Sequence, residues 1–151
     1  MKKRAGILMI TAALASIAGA HCQIPCGIYD DHARIAMMEE NVATIEKSMT
    51  EIAKLPADSP QNINQLVRWV NNKDEHADKL TEIVTYYFLA QRIKPDSENY
   101  EAKLKALHGM IISAMKCKQT VDLKNVEDLK TLIHQFEHLY LGGPDAAPHT
   151  H

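Results

Sequence analysis

The chain has 151 residues, enough for one domain with a real core and too few for two. Apolar residues make up 46% of it, charged residues 24% and aromatic residues only 5%, and Ala, Leu, Ile, Met, Glu and Lys dominate, a balance that favours helices over sheet. A formal charge of −2 without a long Lys/Arg cluster excludes a general nucleic-acid binder.

Residues 1–20 differ from the rest. Lys2, Lys3 and Arg4 form a basic start, an apolar run follows from Ala5 to Ile17, and Ala18-Gly19-Ala20 supplies an A-x-A cleavage signal. This is the layout of a cleaved secretory signal peptide, too short and too lightly flanked for a transmembrane anchor. A lipid-modified cysteine is disfavoured because His21 stands directly before Cys22. The expected protein is therefore exported, periplasmic or extracellular, with no stable membrane anchor after cleavage; it is cytoplasmic if the leader is only a propeptide. Of the 17 Lys and Arg, three leave with the leader, so 14 remain against 19 Asp and Glu, a formal charge of −5.

Residues 21–31, HCQIPCGIYDD, form an irregular segment, since Pro25 lacks an amide proton and Gly27 is conformationally loose. Asp30 or Asp31 can cap the helix that follows. From 32 to 55, Ile35, Met38, Val42, Ile45, Met49 and Ile52 recur at alternating three- and four-residue spacings, the stripe of an amphipathic helix. Pro56 and Pro60 bracket the break after it. A second helix is expected over 61–92, with Leu66, Val70, Ala77, Leu80, Val84, Tyr87 and Phe88 on its buried side and a polar patch, Asn71 to Glu75, that can kink it. After Pro95-Asp96-Ser97, a third helix carries Tyr100, Leu104, Leu107, Ile111 and Ala114 to about Cys117. A fourth spans 121–140 with Leu123, Val126, Leu129, Ile133, Phe136 and Tyr140 on one face, and Gly142-Gly143-Pro144 stops it. Residues 142–151 read as a flexible tail. Four such stripes can be buried only against one another, so residues 32–141 are expected to form an all-α, antiparallel four-helix bundle behind an N-terminal hook.

The chemistry lies in His21-Cys22-Gln23-Ile24-Pro25-Cys26-Gly27-Ile28-Tyr29. Two thiols four residues apart across a proline turn can reach one small centre. Cleavage after Ala20 adds a free α-amine on His21, whose ordinary pKa of about 7.7–8.0 lets a metal displace its proton near neutral pH. The His21 amine, the Cys22 amide nitrogen and the Cys22 and Cys26 thiolates then give two nitrogen and two sulfur donors able to lie in one plane. Planar donor sets suit nickel or copper, whereas zinc prefers a tetrahedron. The His21 imidazole remains free to bind above that plane and stabilise a higher oxidation state.

HCxxPCGxY at a mature N-terminus resembles the hook of nickel-containing superoxide dismutases, and the four-helix plan is similar to that family's bundle. The resemblance implies a nickel ion held by His21, Cys22 and Cys26, with superoxide converted to O₂ and H₂O₂ by Ni(II)/Ni(III) cycling in a homohexamer. It also implies catalytic roles for Tyr29, which orders substrate and water near the metal, and for Tyr87, a second tyrosine at the entrance. The chain departs from the family pattern at Gln23, where many members have Asp. The acid and arginine that orient the hook histidine in some members also lack clear counterparts. Ala36 and Asn72 fall near the expected places, and Glu39, Arg34 or Arg68 can substitute. Superoxide is an anion, so a charge of −5 requires a local positive patch for steering.

Other readings use the same residues. Without cleavage at His21, Cys22 and Cys26 of an exported chain would form a disulfide in a helical binding module. A non-catalytic exported nickel- or copper-binding helical protein would use the same thiols without turnover. Tyr86, Tyr87 and Phe88 lie where core residues are expected, and Cys117 reads as a buried free thiol. His134 and His138 share a helix face but have no second ligand pair.

Overall fold

In a computed structural model of the chain, residues 30–142 are described. The leader, the hook residues 21–29 and the tail beyond Gly142 lie outside them. The described residues form helices α1 (Asp31–Lys54), α2 (Pro60–Glu82), α3 (Tyr100–Gln119) and α4 (Lys124–Leu141). A π-helical segment, Ile83–Arg92, continues α2.

Local chemistry sets each boundary. Asp30 caps α1, its carboxylate accepting the amides of His32 at 2.8 Å and Ala33 at 3.3 Å. Ser59 caps α2 through the Asn62 amide, with Pro60 in the first turn, where a missing N–H costs nothing. Asn99 precedes α3 at φ 55°, a left-handed conformation that asparagine tolerates. Gly142 ends α4 at φ 84°, its amide bonded to the His138 carbonyl.

Each helix packs on its chain neighbour, and α4 returns against α1. Paired contacts fix the directions as antiparallel. Between α1 and α2, Asn41 meets His76 and Ser48 meets Asn72; between α1 and α4, Glu46 meets Lys130. Where α3 crosses α4, a Cβ at Gly109 would lie 3.1 Å from Leu132, so glycine permits the close approach. The core runs from Met49, Ala114, Cys117 and Val126 near one end to Phe88, Phe136 and Tyr140 near the other. Phe88 packs edge-on to Phe136 at 4.8 Å between ring centroids, and Tyr140 stacks on Phe136 at 5.2 Å.

The structure revises two expectations. Helix α2 runs unbroken through the patch Asn71–Glu75, two of whose residues find partners across the bundle. Asn72 donates to Ser48, and the buried Lys73 ammonium donates to the Cys117 carbonyl at 2.7 Å, at the negative end of the α3 dipole. The irregularity falls instead at Ile83–Arg92. Val70 and Leu123, expected on buried faces, are 38% and 41% exposed.

Phe136→Ala is expected to cost about 3–5 kcal/mol by opening a cavity in the aromatic end of the core, whereas Leu123→Ala should stay within about 0.5 kcal/mol of wild type. Denaturant unfolding of the two variants side by side measures the contrast.

Candidate active site

The hook joins the bundle at Asp30 and Asp31, where α1 begins. At that end the π-helical segment and α4 finish and α3 starts, so all four helices contribute. Asp31 sits at the meeting point, with its side chain 11% exposed. Its Oδ1 accepts the Tyr87 hydroxyl and Arg92 Nε, the latter at 2.9 Å. Its Oδ2 accepts the Tyr140 hydroxyl at 2.8 Å. Arg92 closes the cluster by donating from its terminal nitrogen to the Tyr87 oxygen at 2.9 Å.

The π-helix makes this arrangement possible. On an α-helix, side chains five residues apart point about 140° away from one another. In a π-helix they are one turn apart, because its hydrogen bonds run from residue i to i+5. The Ile93 amide bonds the Phe88 carbonyl at 3.0 Å in this way. Arg92 therefore lies over Tyr87, its guanidinium 4.8 Å from the ring centroid. The two reach Asp31 together. Thr81 and Thr85, whose hydroxyls bond the carbonyls four residues back, lead into the segment and favour a local distortion.

The electrostatics follow from the donors. Burial alone would raise the Asp31 pKa, but the hydrogen bonds from Tyr87 and Tyr140 and the charge of Arg92 outweigh it and hold the carboxyl below its ordinary value. Burial, reinforced by the hydrogen bond to Asp31, pushes both phenols above the usual tyrosine range. Asp31 is thus ionised and both tyrosines are neutral at physiological pH.

Of the residues singled out from the sequence, His21, Cys22, Cys26 and Tyr29 lie outside the described residues. Tyr87 lies at the hook end of the bundle, nearly buried, with Tyr86 beside it 62% exposed. Among the substitutes for the acid and arginine, Arg34 stands over the Tyr87 ring at 5.4 Å. Glu39 is an exposed neighbour of His134, and Arg68 is exposed. Asn72 is engaged with Ser48. The acid–arginine pair found at this end is Asp31–Arg92. Neither it nor Tyr140 stood out in the sequence, because helical periodicity does not place residues 31, 87, 92 and 140 together. A signal was present in Tyr87 and Arg92 at the five-residue spacing, but it has meaning only on a π-helix.

The described residues contain one group of three side chains able to approach a metal, Glu39, His134 and Glu137. It is mostly exposed and offers only oxygen and imidazole donors, which do not stabilise an oxidised nickel. The one described cysteine, Cys117, is fully buried, and burial pushes its thiol up to about 11. It remains protonated at neutral pH, enclosed in the core with Val126 and Ala114. With three cysteines in the chain, a thiolate pair can come only from Cys22 and Cys26, whose donor chemistry fits nickel.

The described helices define an all-α four-helix bundle, preceded in the sequence by a segment that carries two thiols. Comparison with known families gives the particular member: residues 16–143 match the family described as nickel-containing superoxide dismutase. The chain belongs to that family. Neither the curated proteins nor the solved structures contain a significant match. The protein is a nickel-dependent oxidoreductase that converts superoxide to O₂ and H₂O₂. No described helix is long and apolar enough to cross a membrane.

Because the folded-state pKa of Asp31 is depressed, the stabilisation it carries is present above the ordinary carboxylate value of 3.8 and is lost as pH falls through the folded value. The stability gap between wild type and Asp31→Asn should be full at neutral pH and narrow below about pH 4. Thermal unfolding followed from neutral to acid pH reads it directly.

Proposed function

We propose that the nickel of this superoxide dismutase is held by His21, Cys22 and Cys26 in a chain that begins at His21. The observation that supports this reading is the place of Cys117: it is fully buried in the bundle core, and Cys22 and Cys26 are the remaining cysteines. The His21 amine and imidazole, the Cys22 amide nitrogen and the two thiolates form the donor set. Their anionic character is what a site working between Ni(II) and Ni(III) requires, since simple hydrated nickel is too hard to oxidise. When bound, nickel supplies the one-electron chemistry that oxidises one superoxide and reduces another. The chain's own groups bind and orient around it. On this reading Tyr29 would offer a hydroxyl donor beside the bound nickel, and Tyr87 would border the entrance.

The leader, residues 1–20, is read as an export signal that directs the chain out of the cytoplasm, and its removal exposes the amine ligand. The assembly is read as a homohexamer. Support comes from α2, where Ile63, Val67 and Val70 form an exposed apolar stripe at four- and three-residue spacings, 48%, 54% and 38% exposed. A second copy of the chain is the occupant that suits it.

Protein processed to begin at His21 is expected to bind one nickel per chain and to dismutate superoxide. Retaining Ala20, or substituting Cys22→Ser or Cys26→Ser, should abolish both, while Cys117→Ala leaves nickel content unchanged. Metal analysis beside a superoxide assay makes the comparison, and activity surviving Cys22→Ser would overturn the assignment. Val67→Asp should shift the assembly to smaller species in native mass spectrometry.

A further inference from the structure

The strongest feature that the hook does not explain is the cluster around Asp31. Four polar side chains from α1, the π-helical segment and α4 exchange four hydrogen bonds in a nearly buried site. A carboxylate in such a place loses hydration, and an arginine beside it loses more; both persist only where the geometry satisfies them. The cluster is larger than helix capping requires, because Asp30 already caps α1. It also depends on an uncommon π-helix, a distortion frequently found at functional sites.

Two consequences follow from the bonding. Asp31 lies two residues after Tyr29 and five after Cys26, so the point at which the hook enters the bundle is tied to two other helical segments. The Tyr87 hydroxyl has its proton committed to Asp31 and one lone pair committed to Arg92. The phenol is thereby fixed in direction.

We infer that Asp31, assisted by Arg92 and Tyr140, is a positioning residue that anchors the base of the hook and fixes the Tyr87 hydroxyl toward Asp31. Arg92 and Tyr140 act through Asp31 and Tyr87, and none of the three is assigned contact with nickel or superoxide. Among the described residues, the charged and titratable groups facing Tyr87 include Asp31 and Arg34 from α1, Arg92 from its own segment and Tyr140 from α4. Lys103 of α3 stands over the Tyr140 ring at 5.5 Å. Removing the Asp31 charge leaves Tyr87 among cations, which favours its ionisation; the alkaline limb of activity then moves toward neutral pH.

The inference rests on the hook being the nickel site, and the test separates the two. Processed, nickel-loaded wild type is compared with Asp31→Asn, Asp31→Glu and Tyr140→Phe. Nickel release to a chelator, the pH profile of dismutation and tyrosine ionisation by difference absorbance are measured on each. Asp31→Asn should release nickel faster than wild type, because the base of the hook loses its tie to the other two helical segments. One more of the five tyrosines should titrate in the ordinary range, with the alkaline limb displaced downward. Tyr140→Phe, which keeps the aromatic packing, should show a smaller increase in nickel release, and Asp31→Glu should restore the tyrosine titration toward wild type. If Asp31→Asn folds and both its nickel release and its tyrosine titration match wild type, the inference is overturned. Should Asp31→Asn fail to fold, wild-type nickel release in Tyr140→Phe overturns it instead. A wild-type protein that holds no nickel at the hook refutes the ligand assignment, and the tyrosine titrations then decide whether Asp31 fixes Tyr87.

Discussion

A carboxylate taken largely out of water must be given donors, and at Asp31 those donors come from segments far apart in the chain. Tyr87, Arg92 and Tyr140 all converge on it. The interaction is demanding because each partner is itself costly to bury alone. Satisfying all four fixes the start of α1 against the end of the α2 segment and the end of α4. Those are the elements that frame the place where residues 21–29 enter the bundle. The π-helix follows from the same requirement, since an α-helical Arg92 would point away from the face that Tyr87 shares with Asp31.

Beneath this polar end, the aromatic rings carry the constraint into the core. Tyr140 places its hydroxyl on Asp31 and its ring on Phe136, and Phe136 in turn meets Phe88. Phe88 packs edge-on to Tyr87 at 5.0 Å. A phenol can serve both layers because one end is polar and the body is apolar. The far end of the bundle is fixed differently, by the Lys73 ammonium on the α3 terminus and by short capped loops. The rigid polar cluster is thus concentrated where the hook begins.

Much of the bundle was legible in the sequence because burial at 3.6-residue spacing is a local property. Ile35, Met38, Val42, Ile45 and Met49 on α1, and Val126, Leu129, Ile133 and Phe136 on α4, are buried as their spacing requires. The exposed Val70 shows where the rule runs out: α2 carries apolar residues on more than one face, and periodicity cannot say which face meets the core. The hook motif lies outside the described residues and stands as a proposal. Its thiols and its proline are contiguous in the sequence, so the proposal can be made without tertiary structure. The Asp31 cluster was not legible, since it joins positions 31, 87, 92 and 140 through a helix type that ordinary patterning does not anticipate.

Charge distribution connects the cluster to the substrate. On the proposed reading that residues 1–20 are removed, the chain carries a formal −5, which repels an anion at long range. Beyond about 8 Å at physiological salt, however, exposed charges are largely screened, and the groups near the entrance govern the final approach. Among the described residues, two guanidiniums stand around the Tyr87 ring, Arg34 at 5.4 Å and Arg92 at 4.8 Å, beside the carboxylate of Asp31. These three described groups together carry one positive charge in a partly dehydrated setting, where its field is less weakened than in water. On the proposed reading, with Tyr87 bordering the hook, this surplus supplies the local positive field that the overall composition lacks. Asp31 then has two effects that oppose each other. It holds Arg92 and Tyr87 in place, and it cancels one of the two described cations, so that among the described groups Arg34 carries the positive balance.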